Sequence, residues 1–129
     1  MDYVGMVKDF HMVFGSYTSN KPAIDVPSDV SELRRRLIKE EATELDSAIA
    51  ANDMVGIADG IADLLYVVFG TAVSYGIPID NIFQIVHEAN MSKVGSDGKP
   101  LKDAGGKVVK PQGWVSPNQK IACILQQGD

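Results

Sequence analysis

Five acidic side chains on two neighbouring helical segments are the residues of this sequence best suited to chemistry. Glu40, Glu41 and Glu44 lie in a segment whose apolar residues recur every three or four positions, and Asp59 and Asp63 lie in the next such segment. At about 100° per residue, the three glutamates fall on or beside the apolar stripe of their helix. Burying an unpaired carboxylate is costly, so these side chains must share cations, share protons or line a cleft. We interpret them as a divalent metal site, and a solvated acidic helix face is the competing interpretation.

The ligand type narrows the choice of metal. Carboxylate oxygens are hard ligands that suit Mg²⁺ or Mn²⁺, whereas zinc normally recruits histidine or cysteine. His11 and His87 are too far apart in the sequence to form a zinc motif. Two or three Mg²⁺ or Mn²⁺ ions would neutralise a nucleoside triphosphate and generate a hydroxide for attack on phosphorus.

Helical periodicity and capping residues predict the elements that position these acids. A short connection at Asn52 and Asp53 would make the second and third helices antiparallel, so that the glutamates face the two aspartates. The third helix is apolar on every side, which predicts burial against another subunit; we expect it to be too short and too interrupted to cross a membrane. The predicted helices cover about residues 2–14, 28–51, 54–75, 78–93 and 116–126.

The segment between the last two helices has a different composition. Residues 100–101 and 107–109 flank the turn-forming stretch 103–106, which predicts a short hairpin. The expected fold class is therefore all-α: a four-helix core with a short C-terminal β-hairpin and a terminal helix, assembled as an oligomer. We expect a single domain, residues 1–129, in which about residues 95–129 form a C-terminal extension.

Composition limits the class of partner. A net charge of -5 disfavours binding to a nucleic-acid backbone. The single cysteine, Cys123, excludes an internal disulfide and fits a reducing compartment, and we expect it to be a small buried residue of the last helix. Charged residues within the first fourteen argue against a signal peptide or a membrane span. The sequence thus predicts a cytoplasmic protein with no nucleic-acid or membrane partner.

The acidic pattern resembles a known family, the all-α nucleoside triphosphate pyrophosphohydrolases that are often called MazG-like. The stretch EEATE at residues 40–44 fits the family's E-E-x-x-E signature, and ADLLY at residues 62–66 carries the aspartate of its E-x-x-D half. Gly60 stands where the family has the second-half glutamate, and Asp59 is the candidate replacement. The resemblance runs from about Val30 to Lys93. In addition, FHMVFG at residues 10–15 and the stretch 98–114 are similar to a subgroup found in bacteria and phages.

The resemblance implies Mg²⁺-dependent cleavage between the α and β phosphates of a nucleotide, in a homodimer or homotetramer of a bacterium or a phage-infected host. Carried over by position, Glu41, Glu44 and Asp63 would hold one metal ion, and Glu40 with Asp59 would complete a second site. Either Glu40 or Glu41 would deprotonate the attacking water, and we favour Glu41. Phage-like members of the family include enzymes acting on dGTP, which favours a purine deoxynucleotide.

Several other residues are candidates for contacting the substrate. In the resemblance, Lys93 would hold phosphate as a point charge and Asn90 would bond sugar or phosphate. Both residue types are also common at helix ends. We interpret three neighbouring arginines, residues 34–36, as a solvated helix face; contact of one of them with a phosphate bound by a neighbouring subunit is the alternative. The remaining candidates for substrate binding are Tyr66, His87, His11 and Trp114, for which structural packing is the alternative.

Two other functions stay open at this point. The first is a phosphoribosyl-ATP pyrophosphohydrolase of histidine synthesis, which shares the acidic motif. The second is a non-catalytic helical oligomerisation module whose acids bind structural Mg²⁺ or Ca²⁺.

Overall fold

A computed structural model describes residues 1–126, and these form five α-helices. The chain divides into two compact units, Met1–Ile77 and Pro78–Asp129. All five predicted helices are confirmed, with ends that differ by at most two residues from the expected ones. The helices are α1 (Tyr3–Phe14), α2 (Ser28–Ala50), α3 (Met54–Tyr75), α4 (Ile79–Met91) and α5 (Asn118–Gln126).

Local sequence fixes the helix ends that surround the acidic residues. The Asp53 side chain accepts a hydrogen bond from the Gly56 amide at 3.1 Å and caps α3. Asn52 adopts a left-handed conformation with φ 54°, which lets the chain reverse direction within two residues. Gly76 ends α3 with φ 67°, a conformation that costs glycine little. The short connection predicted between α2 and α3 is therefore confirmed.

Helix α3 is the central element of the first unit, because both α1 and α2 pack against it. The two long helices run antiparallel in a consistent register. Ala48 lies beside Gly56, Leu45 beside Gly60, and Arg34 beside Val67 and Thr71. This register sets the sequence-distant acids of α2 and α3 opposite one another.

Helix α3 is also long and apolar enough, by length and composition alone, to cross a membrane, with a mean hydropathy of 1.5. The expectation that it is too short was therefore wrong. Within the first unit it contacts both α1 and α2, and it carries the charged residues Asp59 and Asp63 in its first half.

The predicted β-hairpin of the C-terminal segment was wrong, since no strand occurs in the described part of the chain. The segment contains two isolated antiparallel bridges, Val94 with Pro100 and Lys102 with Val108. Each turn leaves only a few residues before the next, which is too few for a ladder of paired strands. Pro100 also lacks the amide that a ladder requires.

In the second unit, α5 packs against α4. Cys123 on α5 is exposed, so the expectation of a buried cysteine was wrong. The large apolar residues of this short helix, Ile121, Ile124 and Leu125, are half-buried, and its other positions are open to solvent.

Candidate active site

Three carboxylates of the first unit converge where α2 faces α3. One oxygen from each of Glu41, Glu44 and Asp63 can be chosen so that all three lie within 4.8 Å of one another. Glu41 and Asp63 are half-buried and Glu44 is exposed. The cluster is thus open to solvent on the Glu44 side and closed by the helix pair on the other.

The cluster shifts the proton affinity of two of its members. Burial raises the pKa of Glu41, and the charges of Glu44 and Asp63 raise it further. Burial also raises the pKa of Asp63, with Asp59 and Glu44 as the neighbouring charges. Desolvation and like charges both disfavour the ionised form, so the cluster holds protons more tightly than separate carboxylates in water.

One oxygen of Glu41 shows that the cluster lacks a counter-charge. Glu41 Oε2 is buried and has no hydrogen-bond partner among the described residues. Most buried polar atoms in proteins are partnered, and a carboxylate oxygen surrounded by other carboxylates is best satisfied by a cation. Three oxygens at this spacing, all of them hard ligands, fit Mg²⁺ or Mn²⁺.

The other two predicted metal ligands lie beside this three-residue cluster. Glu40 is exposed, and its Oε1 lies 3.9 Å from Nε of Arg36 in an exposed ion pair. Asp59 is exposed one helical turn before Asp63. Both add negative charge next to the cluster, Glu40 near Glu41 and Asp59 near Asp63.

The close approach of α2 to α3 explains why glycine stands at position 60, where the family has a glutamate. A Cβ placed on Gly60 would lie 3.2 Å from Cα and 3.3 Å from Cβ of Leu45. Gly60 is buried, so α2 and α3 approach each other closely at this position. A side chain here would point at the α2 backbone instead of at the carboxylates, which leaves Asp59 as the acid at this level of α3.

Arg34 differs from the solvated face that the sequence predicted for the three arginines. It is only 7% exposed, and it donates hydrogen bonds to Thr71 Oγ1 at 3.2 Å and to the Val67 carbonyl at 2.9 Å. Its position seven residues before Glu41 puts it on the same stripe of α2, a signal that sequence reasoning overlooked. Arg34 therefore joins α2 to α3, whereas Arg35 and Arg36 are exposed as expected.

His11 is enclosed beside this arginine and is 3% exposed. Its Nδ1 lies 3.1 Å from the Tyr17 carbonyl, and its Nε2 would lie 2.9 Å from a Cβ placed on Gly70. Burial lowers the pKa of His11, and the Arg34 charge lowers it further, which outweighs the carbonyl contact. The ring offers almost no surface to a ligand, so the geometry favours the structural alternative for His11.

Tyr66 lies one turn beyond Asp63 on α3 and is 40% exposed. Its ring meets the ring of Phe10 edge to face at 5.6 Å, and Phe10 contacts Phe14 at 4.4 Å. These partly exposed aromatic rings belong to the same unit as the carboxylates.

The remaining predicted substrate residues belong to the second unit. His87 and Asn90 are exposed on α4. Lys93 follows α4, and its Nζ lies 5.1 Å from the ring centroid of Trp114. Lys110, which the sequence reasoning did not single out, places its Nζ 5.4 Å from the same centroid.

Fold and site together define an all-α protein with a carboxylate cluster suited to divalent cations. The model of the phosphoribosyl-ATP pyrophosphohydrolase family matches residues 7–90. The chain therefore belongs to this family, and its expected relation to the MazG-like pyrophosphohydrolases is confirmed.

Proteins similar to this chain include a viral protein and a protein of solved structure. Uncharacterized protein L479 of Acanthamoeba polyphaga mimivirus is 31% identical over 97 residues, which are 73% of this chain and 36% of the viral protein. The chain thus spans just over a third of the length of that curated relative. The crystal structure of a candidate NTP pyrophosphohydrolase from Exiguobacterium sp. 255-15 is 26% identical with a TM-score of 0.55, and the match covers 98% of this chain and 95% of that chain.

Proposed function

We propose that this protein hydrolyses a nucleoside triphosphate between the α and β phosphates and releases the nucleoside monophosphate and pyrophosphate. The observation that carries the proposal is the cluster of Glu41, Glu44 and Asp63 with its unpartnered buried oxygen. The family relation and the Exiguobacterium structure support a pyrophosphohydrolase with a nucleotide substrate.

Glu41, Glu44 and Asp63 would hold a first Mg²⁺ or Mn²⁺ ion, and Glu40 with Asp59 would contribute to further ions, two or three in all. Bound divalent ions would neutralise phosphate charge and lower the pKa of a water molecule. Glu41 is our choice for accepting the proton of that water, because its raised pKa brings its proton affinity closer to neutral pH. Glu40, in its exposed pair with Arg36, is the other candidate.

Residues outside the cluster would bind the nucleotide. In this proposal Lys93 contacts phosphate, Asn90 contacts sugar or phosphate, and Tyr66, His87 and Trp114 are further candidates for contacting the substrate. The preferred substrate is a purine deoxynucleotide such as dGTP, in the cytoplasm of a bacterium or a phage-infected host. His11 would have a supporting role in the core, because its ring is almost fully buried.

A homodimer or homotetramer is part of the proposal. Large apolar side chains of α1 and α3 remain exposed in the single chain, for example Val13 at 77%, Phe14 at 69% and Ile61 at 47%. An extended apolar surface of this kind is typical of an interface between subunits.

Product analysis tests the reaction. The protein would be incubated with each common dNTP and NTP in Mg²⁺, in Mn²⁺ and in EDTA, and the products separated by anion exchange. We expect monophosphate and pyrophosphate in equal amounts, with no turnover in EDTA. Diphosphate and orthophosphate would contradict cleavage at the α phosphate.

A second candidate substrate is phosphoribosyl-ATP, because the matching family model is that of phosphoribosyl-ATP pyrophosphohydrolase. Turnover of this compound with none of the triphosphates would support it. If nothing is turned over and EDTA only lowers the thermal stability, the non-catalytic metal-binding module is the better description.

A further inference from the structure

Trp114 holds two ammonium groups against its ring. Nζ of Lys93 lies 5.1 Å and Nζ of Lys110 lies 5.4 Å from the ring centroid, both within the range of about 6 Å for a cation–π contact. The two nitrogens are therefore no farther apart than the sum of these distances. Two like charges within this separation repel each other, and an anion that contacts both would relieve the repulsion.

These lysines have no acidic partner among residues 1–126. Arg36 with Glu40 is the one side-chain ion pair within residues 1–126. The two acids of the segment are engaged by backbone amides: Asp97 accepts from Lys99 N at 3.0 Å, and Asp103 accepts from Gly105 N and Lys107 N at 2.9 Å each. Residues 93–120 contain six lysines and only these two acids, so the segment is locally positive in an acidic chain.

The indole is held in one orientation. Its Nε1 donates hydrogen bonds to the Ala89 carbonyl and to Ser92 Oγ, both at 2.9 Å. Trp114 is thereby anchored to the C-terminal end of α4, and the lysines share a fixed platform. A preorganised pair of cations loses less conformational freedom on binding an anion than two free lysines would.

The nearby acid Glu88 lines a cavity that is separate from the two lysines. Trp114 also lines a cavity of about 350 Å³ whose charged residues are Glu88 and Lys120, and neither Lys93 nor Lys110 lines it. Glu88 accepts a hydrogen bond from Gln84 Nε2 at 3.3 Å. An anion would accordingly bind at the two ring-bound lysines and not in this cavity.

We propose that Lys93, Lys110 and Trp114 form a binding site for a polyphosphate anion, with Lys110 as a phosphate ligand in addition to Lys93. The identification of this anion as the pyrophosphate part of a nucleotide rests on the proposed function. The binding of polyphosphate itself does not, because it needs neither the metal cluster nor turnover.

Tryptophan fluorescence tests the site directly, because Trp114 is the only tryptophan of the chain. The full-length protein is titrated with inorganic tripolyphosphate in EDTA. We expect a saturable change in emission whose apparent Kd rises with salt. Lys110→Ala should weaken binding about tenfold, the size expected for one charge-assisted hydrogen bond, and Lys110→Arg should restore most of it.

Lys102→Ala is the matched control. Lys102 is an exposed lysine of the same segment, and removing it should change Kd by less than about twofold, since only the general field is altered. Equal losses in Lys110→Ala and Lys102→Ala would overturn the proposal in favour of a diffuse positive surface. The absence of any saturable change in the wild-type protein would also overturn it.

The same titration separates this site from the proposed reaction. Tripolyphosphate binding that depends on Lys110, in a protein without triphosphatase activity, would leave the site standing and remove the proposed function. Normal pyrophosphohydrolase activity with no change in Trp114 emission would remove the polyphosphate site and leave the proposed function standing.

Discussion

The acidic cluster of the first unit and the lysine cluster of the second hold like charges together by different means. Glu41, Glu44 and Asp63 project from two long helices whose spacing is set by close backbone contact at Gly60. Lys93 and Lys110 each place an ammonium group near the same indole ring, and turns precede Lys110. Glu41 and Asp63 are half-buried, and one Glu41 oxygen has no hydrogen-bond partner among the described residues, whereas Lys110 is exposed.

The difference concerns how strongly each cluster needs a counter-ion. Partial burial makes mutual repulsion among the acids costly and raises the pKa of Glu41 and Asp63, so a multivalent cation would be bound firmly. Water screens the lysines, so an anion there is expected to bind weakly and to exchange readily. Rigid helices thus suit firm binding of a cation, and a turn-rich segment suits weak, readily exchanging binding of an anion.

The largest effect is expected from Glu41→Gln, which removes a charge from the acidic cluster and keeps its shape. Turnover should fall at least about 100-fold, because the residue is both a proposed metal ligand and the proposed base. The Tm in EDTA should rise at neutral pH, since the change removes like-charge repulsion. Enzyme assays and thermal unfolding of the same preparation measure both.

Asp46→Asn is the control for that variant, because Asp46 is an exposed acid of the same helix. Asp46→Asn should leave both the turnover and the Tm in EDTA close to the wild-type values. Near-normal turnover of Glu41→Gln would exclude Glu41 from both proposed roles.

Gly60→Glu would test whether helix spacing holds the acids together. The substitution restores the family glutamate, but its Cβ would press on Leu45. We expect the unfolding free energy to fall by about 2 kcal/mol from overpacking and turnover to fall rather than rise. Denaturant unfolding and kinetics are the measurements, with Ala58→Glu, at an exposed position of α3, as the control. A gain in activity or Mg²⁺ affinity would show that the added glutamate reaches the cluster.

The pH dependence of stability should reveal the crowded acids. The pKa of Glu41 and that of Asp63 are raised above their ordinary values of 4.5 and 3.8, so the folded state binds these protons more tightly than the unfolded chain. Their contribution to the unfolding free energy in EDTA therefore grows as the pH falls through the raised pKa values. It is fully present below the ordinary values, and it is lost again as the pH rises.

Saturating Mg²⁺ should reverse this trend, because metal binding requires ionised carboxylates. The measurement is the difference in Tm between wild type and Glu41→Gln across this pH range, with EDTA and with Mg²⁺. This difference cancels the titration of groups that the variant does not affect. If the difference in Tm stays constant with pH in EDTA, the raised pKa of Glu41 in the acidic cluster is contradicted.

The smallest effect is expected from Asp103→Ala in the lysine-bearing segment. Its side chain accepts hydrogen bonds from two backbone amides of the turn before Lys110. Loosening this turn should weaken tripolyphosphate binding about threefold and lower stability by less than about 1 kcal/mol, as for one exposed turn. The Trp114 titration and thermal unfolding measure these changes. Loss of all polyphosphate binding would mean that the turn, and not the indole, positions Lys110.

Local sequence was sufficient to predict the five helices. The three- and four-residue periodicity, the Asp53 cap and the Gly76 stop act over a few residues. The same local reasoning failed for the segment after α4, where turn residues without sufficient strand length leave isolated bridges. It failed also for Arg34. Three consecutive arginines suggest a solvated face, although Arg34 lies on the inner stripe of α2 and is buried.

The sequence by itself determined which residues are helical, because the helices follow from periodicity and capping residues. Only the tertiary structure decided that Glu41, Glu44 and Asp63 form the inner cluster while Glu40 pairs with Arg36. Only the tertiary structure, likewise, brought Lys110 to Trp114. These contacts depend on the distance and rotation between segments, which packing sets and local residue preference does not.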